Sequence, residues 1–283
     1  MSQFKPRQNS PQPQEGGHRA RKRFGQNFLQ DAGIIHRIAR SIGASEKDHV
    51  VEIGPGQGAL TSDILASGCK LDAVELDRDL IPLLEQRFAG HSQFKLQQGD
   101  ALSFDFSSLQ ENDEKLRIVG NLPYNISTPL IFHLLSQQEL ILDMHFMLQL
   151  EVVKRLSAAP SSKNYGRLTV MTQYYCDVSQ LFEVPPEAFN PRPKVQSAIV
   201  RLIPHQHIPY PADNLTTLQS ILRTAFNQRR KTLRNSLKEV VSDDQFESLE
   251  INPSHRPETL SVEKFVAISN VVNAKSLSEK SEQ

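Results

Sequence analysis

Residues 51–61 read "VEIGPGQGALT", a β-forming run that breaks at Gly54, Gly56 and Gly58 and resumes as helix formers. This is a strand, a turn and a helix. Glycine suits such a turn because the backbone must bend sharply and let a ligand come where a Cβ would clash. Outward from it, "LDAVEL" (71–76) is a second strand that ends at Glu75, about 20 residues further on, where a carboxylate can accept hydrogen bonds from both hydroxyls of a ribose. A third strand, Phe94–Gln98, runs into Gly99-Asp100. In an open α/β sheet, all three positions fall at the carboxyl edge beside the ligand crevice. Three readings stay open: a tight turn with no ligand, a dinucleotide site (Gly54-x-Gly56-x-x-Ala59 satisfies that fingerprint), and a cofactor with a single adenosine. Asp100 favours the last, since it can accept from an adenine amino group. A dinucleotide reading also wants a second mononucleotide half and a hydride-transfer acid, and neither is evident.

The rest of the chain extends the same alternation. Strands are expected at 49–53, 71–76, 94–98, 116–119 and 141–150, with helices at about 58–67, 78–89 and 128–136, which argues for a mostly parallel sheet covered on both faces. A helix over 167–175 precedes two strands, 178–184 and 197–203, placed antiparallel at one sheet edge. Beyond "IPHQHIPYP" the pattern is helical through about 273. The expected organisation is a disordered basic extension (1–20), an α/β domain (21–204), a small all-helical domain (205–273) and a disordered tail (274–283).

Composition excludes several classes. Among 283 residues, 38% are hydrophobic and 23% charged, ordinary for a globular protein, and no 18-residue apolar run suggests a membrane span. The N-terminus lacks the apolar stretch of a secretory signal, and Cys69 and Cys176 are too few and too far apart for a disulfide framework or a Cys-x-x-Cys site. A cytoplasmic location fits. Net charge is zero but sorted: residues 1–23 carry six Lys/Arg against Glu15, residues 214–238 carry six and no acid, and residues 72–114 carry ten acids against three bases. Two basic stretches flanking an acidic middle suit a nucleic-acid partner.

"GNLPYNIS" (120–127) adds an amide, a forced turn and an aromatic ring within four residues. Asn121, Pro123 and Asn125 are turn formers, so a plain strand end is one reading; a grip on a flat ring bearing an amino group is the other.

Together these residues carry a resemblance. "FGQNFL" (24–29), "EIGPGQGALT" (52–61), "VELD" (74–77), "QQGDAL" (97–102), "NLPYNIS" (121–127), "NYGRL" (164–168), "PRPKVQSAIVRL" (191–202) and "FNQRRKTLRNSLK" (226–238) occur in order over roughly residues 20–270. The set resembles the ribosomal RNA small-subunit adenine dimethyltransferase family (KsgA type). The resemblance implies a Rossmann-like S-adenosyl-L-methionine-dependent methyltransferase sheet with a small C-terminal all-helical domain. It also implies N6,N6-dimethylation of two adjacent adenosines near the 3′ end of 16S rRNA, during small-subunit biogenesis. The macrolide-resistance methyltransferases of large-subunit RNA share the early motifs and stand as one alternative; a non-catalytic ribosome-assembly factor is another. The extension before residue 20 departs from the family pattern.

Carried over residue by residue, the resemblance puts Gln26, Asn27 and Leu29 along the cofactor, with Gly54 at its methionine end; Gly56 is a cofactor candidate from the glycine turn itself. It puts Glu75 on the ribose, Asp100 on the adenine amino group with Leu76 and Ala101 beside these acids, and Asn121 between cofactor and substrate. Read as sequence alone, Gln26 and Asn27 are a capped turn before a helix starting near Asp31. The substrate site is then Asn121, Leu122, Pro123 and Tyr124. The Asn121 amide oxygen and a backbone carbonyl accept the two N–H bonds of the target N6 and localise its lone pair, and Tyr124 supplies a stacking face. Phe189 is a candidate for the opposite face and equally a core aromatic. A second methyl transfer asks for a roomy pocket.

For RNA, the candidates are Arg21, Lys22 and Arg23 together with Arg223, Arg230, Lys231 and Arg234. Arg223, Arg230 and Arg234 form with Lys238 a basic stripe, read either as a solvated face or as an RNA contact, on a helix over 215–238 whose other face carries Leu218, Leu222, Ala225, Leu233 and Leu237. The His-x-Glu and Pro-Cys-x-x-Cys ligands of zinc-dependent adenine deaminases are absent, the nine histidines show no metal spacing, and His133 and His145 read as packing. The expected partner is 16S rRNA in a small ribosomal subunit precursor, met by a monomer without metal or membrane.

Overall fold

The computed structural model describes residues 27–228 and 230–281. Gln26, Arg21, Lys22, Arg23 and the extension expected to be disordered lie outside them. A two-residue strand β1 (Phe28–Leu29) leads into helix α1 (Ala32–Ile42). Asp31 caps α1, its carboxylate accepting from the Ile34 amide at 2.9 Å, and Gly43 closes it in the left-handed conformation. Strands β2 (His49–Ile53), β3 (Lys70–Glu75), β4 (Phe94–Gln98), β5 (Leu116–Asn121) and β6 (Ile141–Gln149) follow, joined by helices α2 (Ala59–Leu65), α3 (Ile81–Phe88) and α4 (Ser127–Leu135). Helices α5 (Leu150–Leu156) and α6 (Arg167–Tyr175) precede β7 (Cys176–Val184), β8 (Phe189–Asn190) and β9 (Ser197–Pro204).

The sheet order is β4-β3-β2-β5-β6-β9-β7, with the first five strands parallel and β9 antiparallel to both neighbours. Central strands are buried on both faces, which is why β2 reads as an apolar run. From β2 the chain moves outward to β3 and β4, then returns to lay β5 on the other side of β2. Strand direction of travel therefore reverses between β2 and β5, and ligands of open α/β sheets bind outside the carboxyl ends at such a reversal. The antiparallel edge matches its expected position. Helix α5 was not anticipated, because it continues β6 without a turn signal.

Past residue 205 come α7 (Leu215–Ala225), α8 (Leu233–Leu237), α9 (Asp243–Ser248) and α10 (Val262–Ser281). The single helix expected over 215–238 is two helices, the first ending at Ala225 and the second beginning at Leu233. The first amides of α8 find partners elsewhere: Leu233 N–H donates to the His255 carbonyl at 2.8 Å and Arg234 N–H to that of Pro253 at 2.9 Å. The chain gains hydrogen bonds to the 253–255 loop in place of helical ones. Helix α10 runs past residue 273, where a disordered tail was expected to begin; Ala, Lys, Leu and Glu there are good helix formers. The helical core also reaches back across residue 205. Leu218, Leu222, Phe246 and Phe265 share one buried cluster with Tyr165, Met171 and Tyr174, so α6 packs against the helical region. No helix among the described residues is long and apolar enough to cross a membrane.

Candidate active site

The carboxyl ends of the parallel strands assemble the expected residues in one row. Gly54 N–H donates to the Val74 carbonyl at 2.9 Å and Gly99 N–H to the Glu75 carbonyl at 3.0 Å, so the turns after β2, β3 and β4 stand side by side. On the far side, Gly120 of β5 pairs with Ile53, and Asn121 with Met147. The order along the edge is Asp100, Glu75, Gly54, Asn121. Asn27, Leu29, Gly56, Leu76, Ala101, Leu122, Pro123, Tyr124 and Phe189 line the same cleft.

Two glycines matter for shape. Gly54 has φ 66°, a conformation other residues rarely adopt, and nothing lies within 4 Å of where its Cβ would be. The turn is a cradle open to the cleft. Gly120 needs its hydrogen for another reason: a Cβ there would stand 2.7 Å from the Ile53 carbonyl. Nothing in the sequence marked Gly120 except its place before Asn121.

The acids differ in their surroundings. Glu75 accepts from the amides of Asp77 at 2.8 Å and Gly56 at 3.2 Å, which ties the second strand to the glycine turn. Burial nonetheless holds its carboxyl above the usual range, the two amide bonds opposing. Asp100 is exposed, its Oδ1 accepting from the Leu102 amide at 3.0 Å. Glu52 was not among the candidates, although it lines the cleft one residue before the turn's first neighbour. It is buried, accepts from the Thr61 hydroxyl at 2.6 Å, and is pushed up to about 7, chiefly by burial, with the hydrogen bond opposing and nearby Glu75 adding to the rise.

Asn121 donates from Nδ2 to the Asn27 carbonyl at 3.1 Å, so its Oδ1 is the atom left to accept from a ligand. Leu122 N–H bonds the Met147 carbonyl at 3.2 Å, and Ile126 N–H closes the turn on the Pro123 carbonyl at 3.2 Å. Tyr124 is partly exposed to the cleft, with its hydroxyl 3.1 Å from that of Ser197.

Phe189 arrives by a route no periodicity signalled. Strand β8 pairs antiparallel with β1, Leu29 opposite Phe189 and Phe28 opposite Asn190, and the amides of Gln30 and Asp31 donate to the Ala188 carbonyl. The segment holding Asn27 and Leu29 thus lies between Asn121 on one side and Phe189 on the other. Of the two histidines read as packing, His133 sits 2.8 Å from the Phe104 carbonyl. His145 is buried at the cleft floor, neither ring nitrogen has a hydrogen-bond partner, and burial pushes it down to about 4. It is neutral at physiological pH.

The basic residues lie apart from this row. Arg223, Arg230 and Lys231 are exposed and make no ion pair with a described residue, whereas Arg234 Nε lies 3.0 Å from Asp243. Arg230 and Lys231 lie outside both helices, so the stripe expected along one helix is divided. No group of three or more potential metal ligands occurs among the described residues.

Residues 17–274 match the family model for ribosomal RNA adenine dimethylase. A protein of Pseudomonas aeruginosa named ribosomal RNA small subunit methyltransferase A is 60% identical over 253 residues, covering 89% of this chain and 94% of its own length. One of the same name from Marinobacter nauticus is 59% identical over 256 residues, covering 90% and 92%. Among solved structures, a dimethyladenosine transferase from Plasmodium falciparum superposes with TM-score 0.76 at 28% identity, over 88% of this chain and 98% of that one. The 23S rRNA methyltransferase ErmE shares the fold, with TM-score 0.70 at 23% identity over 87% and 100%.

Proposed function

The chain belongs to the ribosomal RNA adenine dimethylase family, and from that premise we propose that it dimethylates N6 of two adjacent adenosines near the 3′ end of 16S rRNA, using S-adenosylmethionine. The observation that carries this reading is the row Asp100, Glu75, Gly54, Asn121. It crosses four adjacent strands and so spans about 14 Å, enough for an extended adenosine and its amino-acid arm. The residues fit that cofactor. Asp100 would accept from the adenine amino group, with Leu76 and Ala101 beside the base, and Glu75 would take the ribose hydroxyls. The open Gly54 cradle and Gly56 would receive the methionine end, with Gln26, Asn27 and Leu29 along it. Buried Glu52, when ionised, would add negative charge to a cleft whose ligand is a cation at sulfur. When bound, S-adenosylmethionine supplies the methyl group as an electrophilic sulfonium carbon.

The protein's part is to orient a weak nucleophile. Adenine N6 has its lone pair delocalised into the ring. Asn121 Oδ1 would accept one N6–H, and the Leu122 carbonyl the other, because the Pro123 carbonyl already closes the turn. Two acceptors on the N–H bonds leave the lone pair directed away from them, toward the methyl donor. Neither acceptor is charged, so the proton released afterwards passes to water. Tyr124 and Phe189 offer faces for a base taken out of its stack. Arg223, Arg230, Lys231 and Arg234, with Arg21, Lys22 and Arg23, would meet RNA phosphates.

We propose that the enzyme acts as a cytoplasmic monomer on a small-subunit precursor and needs no metal. The test is transfer of labelled methyl groups to small subunits that lack the modification. N6,N6-dimethyladenosine in 16S rRNA, identified by mass spectrometry, is the expected product. Label confined to 23S rRNA, or none on any ribosomal particle, would overturn the reading.

A further inference from the structure

Tyr124 and Phe189 line one cleft, and a short connection leads from Phe189 to the residue that meets the Tyr124 hydroxyl. Strand β8 ends at Asn190, and the chain enters β9 at Ser197. Ser197 is only 1% exposed and is held in register on both sides, opposite Gln149 of β6 and Val184 of β7. Its hydroxyl lies 3.1 Å from the Tyr124 hydroxyl. The Tyr124 backbone is fixed independently, its carbonyl accepting from the Ser127 hydroxyl at 3.2 Å. The ring is therefore pinned at both ends, and its free end is pinned to the sheet.

We infer that Ser197 is a positioning residue that sets the Tyr124 ring, and with it the gap to Phe189 in which a flat base is gripped. This rests on the methyl-transfer reading. An untethered phenol ring turns about its side-chain bonds and holds the base less firmly. The step most exposed to that loss is the second methylation, since the monomethylated base has one N–H fewer to keep it in place.

The test compares Ser197→Ala, Tyr124→Phe and the double variant, each assayed per cofactor-binding site. Each single change removes the same hydroxyl contact from opposite ends. Each is expected to lower kcat/KM roughly fivefold, about the worth of one neutral hydrogen bond. Each should also raise the ratio of monomethylated to dimethylated adenosine, while the double variant falls no further than either alone. A merely structural weakening would reduce the amount of active protein and leave the product ratio unchanged. An unchanged ratio in Ser197→Ala, or losses that add in the double variant, would overturn the inference. Failure of the parent reading looks different: wild-type protein that methylates no rRNA.

Discussion

The two ends of the central sheet treat charge in opposite ways. At the amino end, buried ionisable side chains have partners. Arg117 of β5 donates to both Asp143 oxygens, at 3.0 and 2.9 Å, and to the Ile42 and Gly43 carbonyls, and His49 Nε2 lies 2.7 Å from Asp72. At the carboxyl end, Glu52 and Glu75 have only a hydroxyl and backbone amides, and no ion pair with any described cation. Paired charges hold α1 to the sheet. Unpaired carboxylates of one sign oppose folding, since each must give up water without a counter-ion. Their gathering beside an open cradle is intelligible as a site for a cationic ligand.

The contrast is broken most sharply by one substitution at each end. Asn121→Ala is expected to lower methyl transfer roughly a thousandfold, within the range for removing a group that acts on the reacting atoms. Cofactor affinity should change little. Single-turnover transfer alongside equilibrium cofactor binding checks this, and near-normal turnover would sink the mechanism. Asp143→Ala should do the reverse. It strands the Arg117 guanidinium with Asp48 at 3.6 Å as its nearest remaining acid, at a cost of about 3–5 kcal/mol. Urea unfolding should register the loss while turnover per folded molecule holds.

What the sequence made legible follows the same division. Strands buried on both faces read as apolar runs, and acids at strand ends fall at countable intervals, so Glu75 and Asp100 stood out, while Asn121 was marked by the turn formers and aromatic ring that follow it. The β1–β8 pairing did not, because two-residue strands have no periodicity and Leu29 meets a partner far along the chain. The break between α7 and α8 was hidden by Leu218, Leu222, Leu233 and Leu237, which keep helical spacing across it. Only the 253–255 carbonyls, remote in sequence, supply the reason to stop. Glu52 was passed over because a strand glutamate before a glycine turn looks like any alternating polar position.

Glu52 sharpens the comparison through pH. Its carboxyl rises from an ordinary 4.5 to about 7 in the fold, so the native state binds the proton more tightly than the unfolded chain. Its contribution to stability is complete below about pH 4.5 and is lost as pH climbs through about 7. Burial moves Glu75 the same way. Glu52→Gln keeps an acceptor for Thr61 and cannot ionise. At pH 8 it should be more stable than the wild type, by up to a few kcal/mol, and at pH 5 nearly equal to it. Denaturant titrations at both pH values test this; the same difference at each would mean that Glu52 does not titrate in the fold. In the cofactor-bound protein the ionised carboxylate is the useful form, so the variant should gain stability and lose affinity.

The smallest effect separates either charged edge from the proposed RNA contacts. Arg230 and Lys231 stand exposed between α7 and α8 without a described acid, while Arg234 faces Asp243. A phosphate contact releases about one counter-ion, so replacing both Arg230 and Lys231 with Gln should reduce the slope of log affinity against log salt by about two. Arg234→Gln should change it less, because Asp243 already neutralises part of that charge. Neither variant should alter cofactor binding, because none of the three residues lines the cleft. Titrations of a 16S fragment at several salt concentrations measure the slopes. Equal slopes for wild type and the double variant would remove Arg230 and Lys231 from the proposed RNA contacts and leave Arg223, Arg234 and the N-terminal basic residues.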